Sequence, residues 1–206
     1  AIPNLGGEAR SGDCLVSMLA SGSKGNAAYI RCGKTNILID ARYQLPPVLR
    51  KVSSVTAALS ATSMPFLLPM NTQTSIKGIG VLARKHGVPI YATRETLDEI
   101  ASKTSLGEYP KELFHPISPD VEFSIGDLEI SPFSIDHDAA NPVAYRVKNG
   151  RRSVAVATDM GHYDPYIIEH LQGLDALLLE SNHDVNMLQT GPTLLSEAEN
   201  SGILGT

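Results

Sequence analysis

Metal-binding cysteine motifs are missing from this sequence. The 206 residues include only two cysteines, Cys14 and Cys32, and neither sits in a CxxC spacing, so a cysteine-ligated zinc module is excluded. At these positions buried free thiols of an intracellular protein are expected rather than a disulfide. No apolar run approaches the roughly 20 residues that span a bilayer, and the stretch AIPNLGGEARSGD at the start has neither the basic nor the apolar region of a secretory signal. The expectation is a cytoplasmic protein with no membrane contact. Runs of basic residues are also absent. A net charge of -5 and a pI near 5.7 leave no electrostatic footprint for tight non-specific binding to nucleic acid, although a nucleic-acid substrate stays compatible with them. There is no internal repeat, no low-complexity tract and no Walker spacing. The glycines of SGSKG are followed by no helix, so the segment, with Ser21, reads as a hairpin turn rather than a nucleophile loop.

What is present suits a folded domain. With 42% hydrophobic residues, the chain is long enough to bury a core, and residues 1–206 are expected to form a single domain. CLVSMLA (14–20), NAAYIRC (26–32) and TNILID (35–40) are β-prone runs separated by glycine turns and read as adjacent antiparallel strands. VTAALSA reads as a buried strand. SIKGIGVLARKH reads as a helix with Ile76, Ile79, Leu82 and Ala83 on one face, stopped by Gly87, and RETLDEIASK as a second amphipathic helix. VEFSI and DLEISPFSI flank a Gly-Asp hairpin turn, and VAYRV and SVAVATD continue as strands. Asp164 as N-cap, Pro165 at the first helical position and Gly173 beyond the end bracket a helix over YIIEHLQ, before DALLLES returns as a strand. Strands first, then helices between later strands, predict an α/β sandwich of sheets covered by helices.

Acids and histidines gather where the apolar runs end. ILID stops at Asp40, FSIDHD surrounds His137, AVATD stops at Asp159, and LLLESNHD adds Glu180, His183 and Asp184. Each acid alone is explained by capping a turn. Four clusters behind four apolar runs predict instead a shared rim, because neighbouring strand ends hold their side chains within a few ångströms of one another. His162 reads as a surface turn residue, and His86, His115 and His170 as helix-end or loop histidines in charge interactions with helix termini.

In their order, LASGSKGNAAYI, ILIDA, IKGIGVLARKHGVPIYA, FSIDHDAANPVAYRV, VAVATDMGHY and LLLESNHDVNML resemble the metallo-β-lactamase fold, and within it the YycJ/WalJ-type branch of phosphodiesterases and nucleases. The resemblance implies a four-layer αββα sandwich with a dinuclear zinc or manganese centre at one rim. It also implies a metal-activated hydroxide attacking a phosphodiester, in single-stranded nucleic acid or a small phosphodiester. On this likeness His137 and Asp159 are metal ligands, and Asp40 and His183, the latter in an Asn-His-Asp tripeptide, are the candidate catalytic residues beside them.

The sequence departs from that pattern in two places. Before IKG the family carries His-x-His-x-Asp-His, whereas Ala61 to Ser75 here reads ATSMPFLLPMNTQTS, without histidine, acid or cysteine. Near the end, TLLSEAEN stands where a His-Leu-Ser motif is expected, with Leu194 in the histidine's place, so a sandwich shortened at its C-terminus is expected. A catalytic zinc site takes at least three protein donors, and only His137 and Asp159 keep family positions. His183, Asp184, Asp138 or His162 would have to complete it. Natural inactivation, engineering, a misread segment and a remodelled site all stay open. Pro65 and Pro69 are expected to keep MPFLLPM from regular structure. It reads foremost as a core-covering segment, with a partner-binding patch and a disordered loop as alternatives. Three activities follow: a metal-dependent hydrolase, a metal-free relic that binds a partner through MPFLLPM, and a metal-independent acid/base enzyme using His137 and Asp159.

Overall fold

Alternation of side chains along the strands decides which face of each sheet is covered by what. A computed structural model describes residues 14–20, 26–40, 64–70, 83, 86–102, 110–136, 141–158, 160 and 164–179. One sheet holds β1 (Cys14–Ala20), β2 (Ala27–Cys32), β3 (Thr35–Ile39), β4 (Phe66–Leu67), β5 (Ile90–Thr93) and β6 (Phe114–Ile117), in that spatial order. The first three are antiparallel, and β3 to β6 run parallel. The second sheet runs β11 (Ala176–Leu179), β10 (Arg152–Ala157), β9 (Val143–Asn149), β8 (Leu128–Ser134), β7 (Phe123–Ile125), antiparallel except for β10 with β11.

Ala28, Ile30, Ile37, Ile39 and Leu67 of the first sheet meet Leu128, Ile130, Val143, Tyr145, Val154 and Val156 of the second in one buried cluster. Their neighbours along the strands face outward. Tyr29, Leu38, Phe66, Ile90 and Ala92 pack with Ala83 and with Ile100 of α1 (Arg94–Ser102), while Phe133, Ala144, Ala155 and Ala157 pack under Ile167 of α2 (Pro165–His170). A period of two in the strands thus builds three apolar layers and the αββα order.

Several sequence expectations hold in local detail. Asp164 caps α2 by accepting from the Ile167 N–H at 2.8 Å, and Pro165 occupies its first turn. Ala83 and His86 are helical, and Gly87, at φ +58, closes that turn by donating to the Ala83 carbonyl. In the β7–β8 turn Gly126 has positive φ and lies so close to Thr35 that a Cβ would collide with its side chain, while the Asp127 N–H donates to the Thr35 hydroxyl. SGSKG and VTAALSA lie outside the described residues.

Three expectations are corrected. Cys14 and Cys32 are not free thiols: the β1–β2 register sets them directly opposite, with Cα atoms 4.3 Å apart, and they form a disulfide. Spacing in the sequence hides a pairing that only strand register creates. The thiol argument for a cytoplasmic address falls with it. Among the described residues no helix is long and apolar enough to cross a membrane. Second, the prolines of MPFLLPM do not prevent regular structure. They bracket β4, in the middle of a sheet: the N–H groups of Phe66 and Leu68 donate to Pro89 and Tyr91, and the carbonyls of Pro65 and Leu67 accept from Leu38 and Asp40. Proline is tolerated because it stands before and after the two paired residues. Third, His115 lies in β6, a strand the sequence did not announce, and stacks on Tyr91 with ring centroids 4.7 Å apart.

Phe66 is 1% exposed. Truncation to alanine is expected to cost about 3–5 kcal/mol, read as a lowered urea midpoint. Reduction of the Cys14–Cys32 bond, whose partners are 18 residues apart, is expected to lower stability by about 2–4 kcal/mol, measured by denaturation with and without reductant.

Candidate active site

Strand ends from both sheets meet at one rim, and Asp40 is the residue that joins them. It follows β3 with φ +51, an uncommon left-handed backbone for a residue with a side chain, and is 1% exposed. Its N–H donates to the Leu67 carbonyl of β4 at 3.0 Å, and its carboxylate accepts from the Thr158 hydroxyl, just past β10 in the other sheet, at 3.3 Å. Tyr145 of β9 points into the space between the sheets and donates its hydroxyl to the Leu68 carbonyl at 2.7 Å. Burial, and after it the negative charge of Asp40, pushes this phenol well above its ordinary titration range, so it stays a neutral donor.

Backbone bonds bring two further segments to the same rim. The Val143 N–H donates to the Pro69 carbonyl at 2.8 Å, tying the start of β9 to the end of β4, and the Ile135 N–H donates to the Pro142 carbonyl at 3.1 Å, closing the base of the loop between β8 and β9. Asn141, at φ +48, ends that loop. Its carbonyl accepts from the Thr93 hydroxyl at 3.1 Å and its amide donates to Glu95 of α1 at 3.1 Å. Met70, Met160, Phe133 and Ile135 complete the rim as part of one buried apolar cluster.

Of the residues singled out from sequence, Asp40 lies at this rim. His137, Asp159 and His183 lie outside the described residues, as do Glu180, Asp184, Asp138 and His162. Their described neighbours do reach the rim: Ile135 and Asn141 flank the segment of His137, and Thr158 and Met160 flank Asp159. Two residues were missed, Thr158 and Tyr145. Tyr145 was readable from the alternation in VAYRV, which puts it on the inner face with Val143 and Val147; no local signal marks Thr158.

The donors in view do not fit a metal centre. Among the described residues no group of three or more histidines, cysteines or acids could hold an ion, and Asp40 is the buried acid described at the rim. Thioethers and hydroxyls do not replace imidazole or carboxylate for zinc or manganese.

Two packed mixed sheets, helices on both outer faces and polar residues at one rim define the metallo-β-lactamase-like class of sandwich. Residues 74–198, more than half of the chain, match the beta-lactamase superfamily domain, and the chain belongs to that family. It is 34% identical over 176 residues to exodeoxyribonuclease YycJ of Bacillus anthracis, and 31% identical over 178 residues to exodeoxyribonuclease WalJ of Streptococcus pneumoniae serotype 2 (strain D39). Each match covers 85% of this chain but only 65% of the relative, so the chain spans just under two thirds of these proteins. Among solved structures, zinc-bound PqqB of Methylobacterium extorquens aligns with TM-score 0.63 at 14% identity, over 81% of this chain and 66% of its own. The metallo-β-lactamase-fold protein YhfI of Bacillus subtilis aligns with TM-score 0.58 at 15% identity, over 80% and 69%. At such identities these two likenesses establish the fold.

Removing the Tyr145 hydroxyl, as Tyr145→Phe, strands the buried Leu68 carbonyl and is expected to cost about 1–3 kcal/mol, read by urea denaturation. The Glu95 carboxyl is held below its ordinary range, first by its own backbone N–H at the start of α1 and then by Asn141. A depressed carboxyl stabilises above its unfolded value of about 4.3, and that contribution disappears as pH falls through the lower folded value. The melting temperature of the native protein is therefore expected to exceed that of Glu95→Gln at neutral pH and to converge with it in acid.

Proposed function

We propose that this chain is a hydrolase of phosphodiester bonds in nucleic acid, acting at the rim marked by Asp40, and that residues 1–206 act as one domain. The observation that carries this reading is the 34% identity to an exodeoxyribonuclease across 85% of the chain. Single-stranded nucleic acid or a small phosphodiester is the substrate class, zinc or manganese the cofactor and the cytoplasm the setting. His137 and Asp159 are the proposed ligands. Asp40 and His183 serve beside them, Asp40 through its bond to Thr158, next to Asp159. When bound, such a metal would supply a Lewis acid and an activated water.

The segment before IKG departs from the ligand cluster that the resemblance expects, and its codons are informative. Met70-Asn71-Thr72-Gln73-Thr74 must be encoded ATG-AAY-ACN-CAR-ACN. Read from one nucleotide earlier, the same bases give a residue for which His is one of four choices, then Glu from a fixed GAA, then His or Tyr, then Thr, Ser, Ala or Pro, then Asp or Asn. A His-Glu-His-x-Asp sequence is therefore available in the neighbouring frame, where the resemblance expects His-x-His-x-Asp-His. Sequencing the gene across Ala61 to Ser75 is expected to show an insertion or deletion on either side; an undisturbed frame leaves natural loss or remodelling of the site.

A second reading, a metal-free relic that binds a partner, is favoured by the buried thioethers at the rim. Its proposed surface is weakened by the burial of Phe66 at the centre of a sheet. Elemental analysis together with cleavage of single-stranded DNA, with and without chelator, decides between them. Bound zinc or manganese near one equivalent and chelator-sensitive cleavage are expected. Less than about a tenth of an equivalent, with no cleavage, rejects the hydrolase and leaves the relic. Chelator-resistant cleavage lost in His137→Ala identifies metal-independent acid/base chemistry instead.

A further inference from the structure

We infer that the loop between β8 and β9 is held at both ends by side chains of other elements, Tyr166 of α2 at one end and Thr93 of β5 with Glu95 of α1 at the other, Tyr166 and the loop's own Asn141 being the positioning residues. β7 pairs only with the first part of β8, Leu128 to Ile130. Beyond it the outer edge of β8, Ser131 to Ser134, has no strand neighbour among the described residues, and a strand leaving a sheet with an open edge frays at that end.

The open edge is covered by substitutes. The Asp120 N–H donates to the Pro132 carbonyl at 2.9 Å, and the Ser134 N–H donates to the Tyr166 hydroxyl at 3.1 Å. Tyr166 in turn donates to the Asp120 carboxylate at 2.6 Å, so its hydroxyl is directed from both sides. Burial and that acceptor raise the phenol above its ordinary titration range, which keeps the donor proton in place. His170, one helical turn on, stacks on Phe133 at 4.8 Å and lies 3.5 Å from the same carboxylate, packing α2 against the strand.

The far end is fastened from the opposite layer. Thr93 at the end of β5 donates to the Asn141 carbonyl, and Glu95 accepts from the Asn141 amide. Between the two clamps the Ile135 N–H to Pro142 carbonyl bond closes the base. That the loop's middle carries a metal ligand, His137, rests on the proposed function; that its ends are clamped does not.

Amide hydrogen exchange of the full chain tests the clamp without metal or substrate. In Tyr166→Phe, which keeps the ring and its packing, exchange at Ser134 and Ile135 is expected to accelerate about tenfold while Val147, Val154 and Val156 are unchanged. Asn141→Gly, which keeps the positive φ and the carbonyl acceptor, is expected to loosen Ile135 and leave Ser134 protected. Unchanged rates at Ser134 in Tyr166→Phe overturn the inference, and so does uniform acceleration across β9 and β10, which marks global destabilisation. Zinc titration of the same proteins separates the two ideas. Weaker binding in Tyr166→Phe at unaltered melting temperature supports the loop as a ligand carrier. A native chain that takes up no zinc rejects the proposed metal site and leaves the exchange result to stand or fall by itself.

Discussion

The contact between the Asp40 carboxylate and the Thr158 hydroxyl is the constraint around which the rim is organised. An isolated carboxylate taken out of water is costly, and it persists in a folded chain only where donors meet it. Here one donor, Thr158, comes from the other sheet, so this contact forms when the ends of β3 and β10 are brought together. The left-handed backbone at Asp40 adds a local cost of order 1–3 kcal/mol. Its N–H bond to Leu67 holds that conformation and fixes β4 in register at the same point. One residue thus connects strand pairing in one sheet to the approach of the other.

Tyr145 shows how far that constraint reaches. Its ring fills the space between the sheets, its hydroxyl holds the last carbonyl of the β4 run, and its titration is raised in part by the charge of Asp40. A neutral phenol beside a buried acid is stable because ionising it would place a second negative charge in the same dry space. Tyr145 is therefore held as a neutral donor on the inner side of the rim. The outer side of the rim is lined by Met70, Met160, Phe133 and Ile135, whose cohesion comes from burial rather than ligation.

Much of this was legible before any coordinates. β-prone runs between glycine turns announced β2 and β3, VAYRV and SVAVATD announced β9 and β10, the Gly-Asp turn announced the β7–β8 hairpin, and Asp164 with Pro165 announced α2. The rest was hidden for physical reasons. β4 has two paired residues between prolines, too short to show a period, and exists because strands on both sides supply its hydrogen-bond partners. β6, with proline inside FHPI, sits at a sheet edge where a missing N–H is tolerated. The cysteine pair depends on register, which no local pattern states. At the rim, Asp40 was visible as an acid ending an apolar run, but its partner Thr158 is an ordinary threonine until the sheets are packed.

Fold and chemistry in this chain therefore rest on different parts of the sequence. Membership of the beta-lactamase superfamily is carried by alternating strands, capped helices and the Asp40 corner, which keep their shape through burial and hydrogen bonding. Hydrolysis needs donors delivered by loops, and loops change without disturbing that core. The segment from Met70 onward illustrates the separation. Phe66 and Leu67 still satisfy the sheet around them, because the apolar alternation survives there, and a strand asks of its residues only shape and apolarity. A metal site asks for particular atoms at particular positions and has no comparable tolerance. The described sandwich is thus the expected survivor of any event that alters a ligand segment.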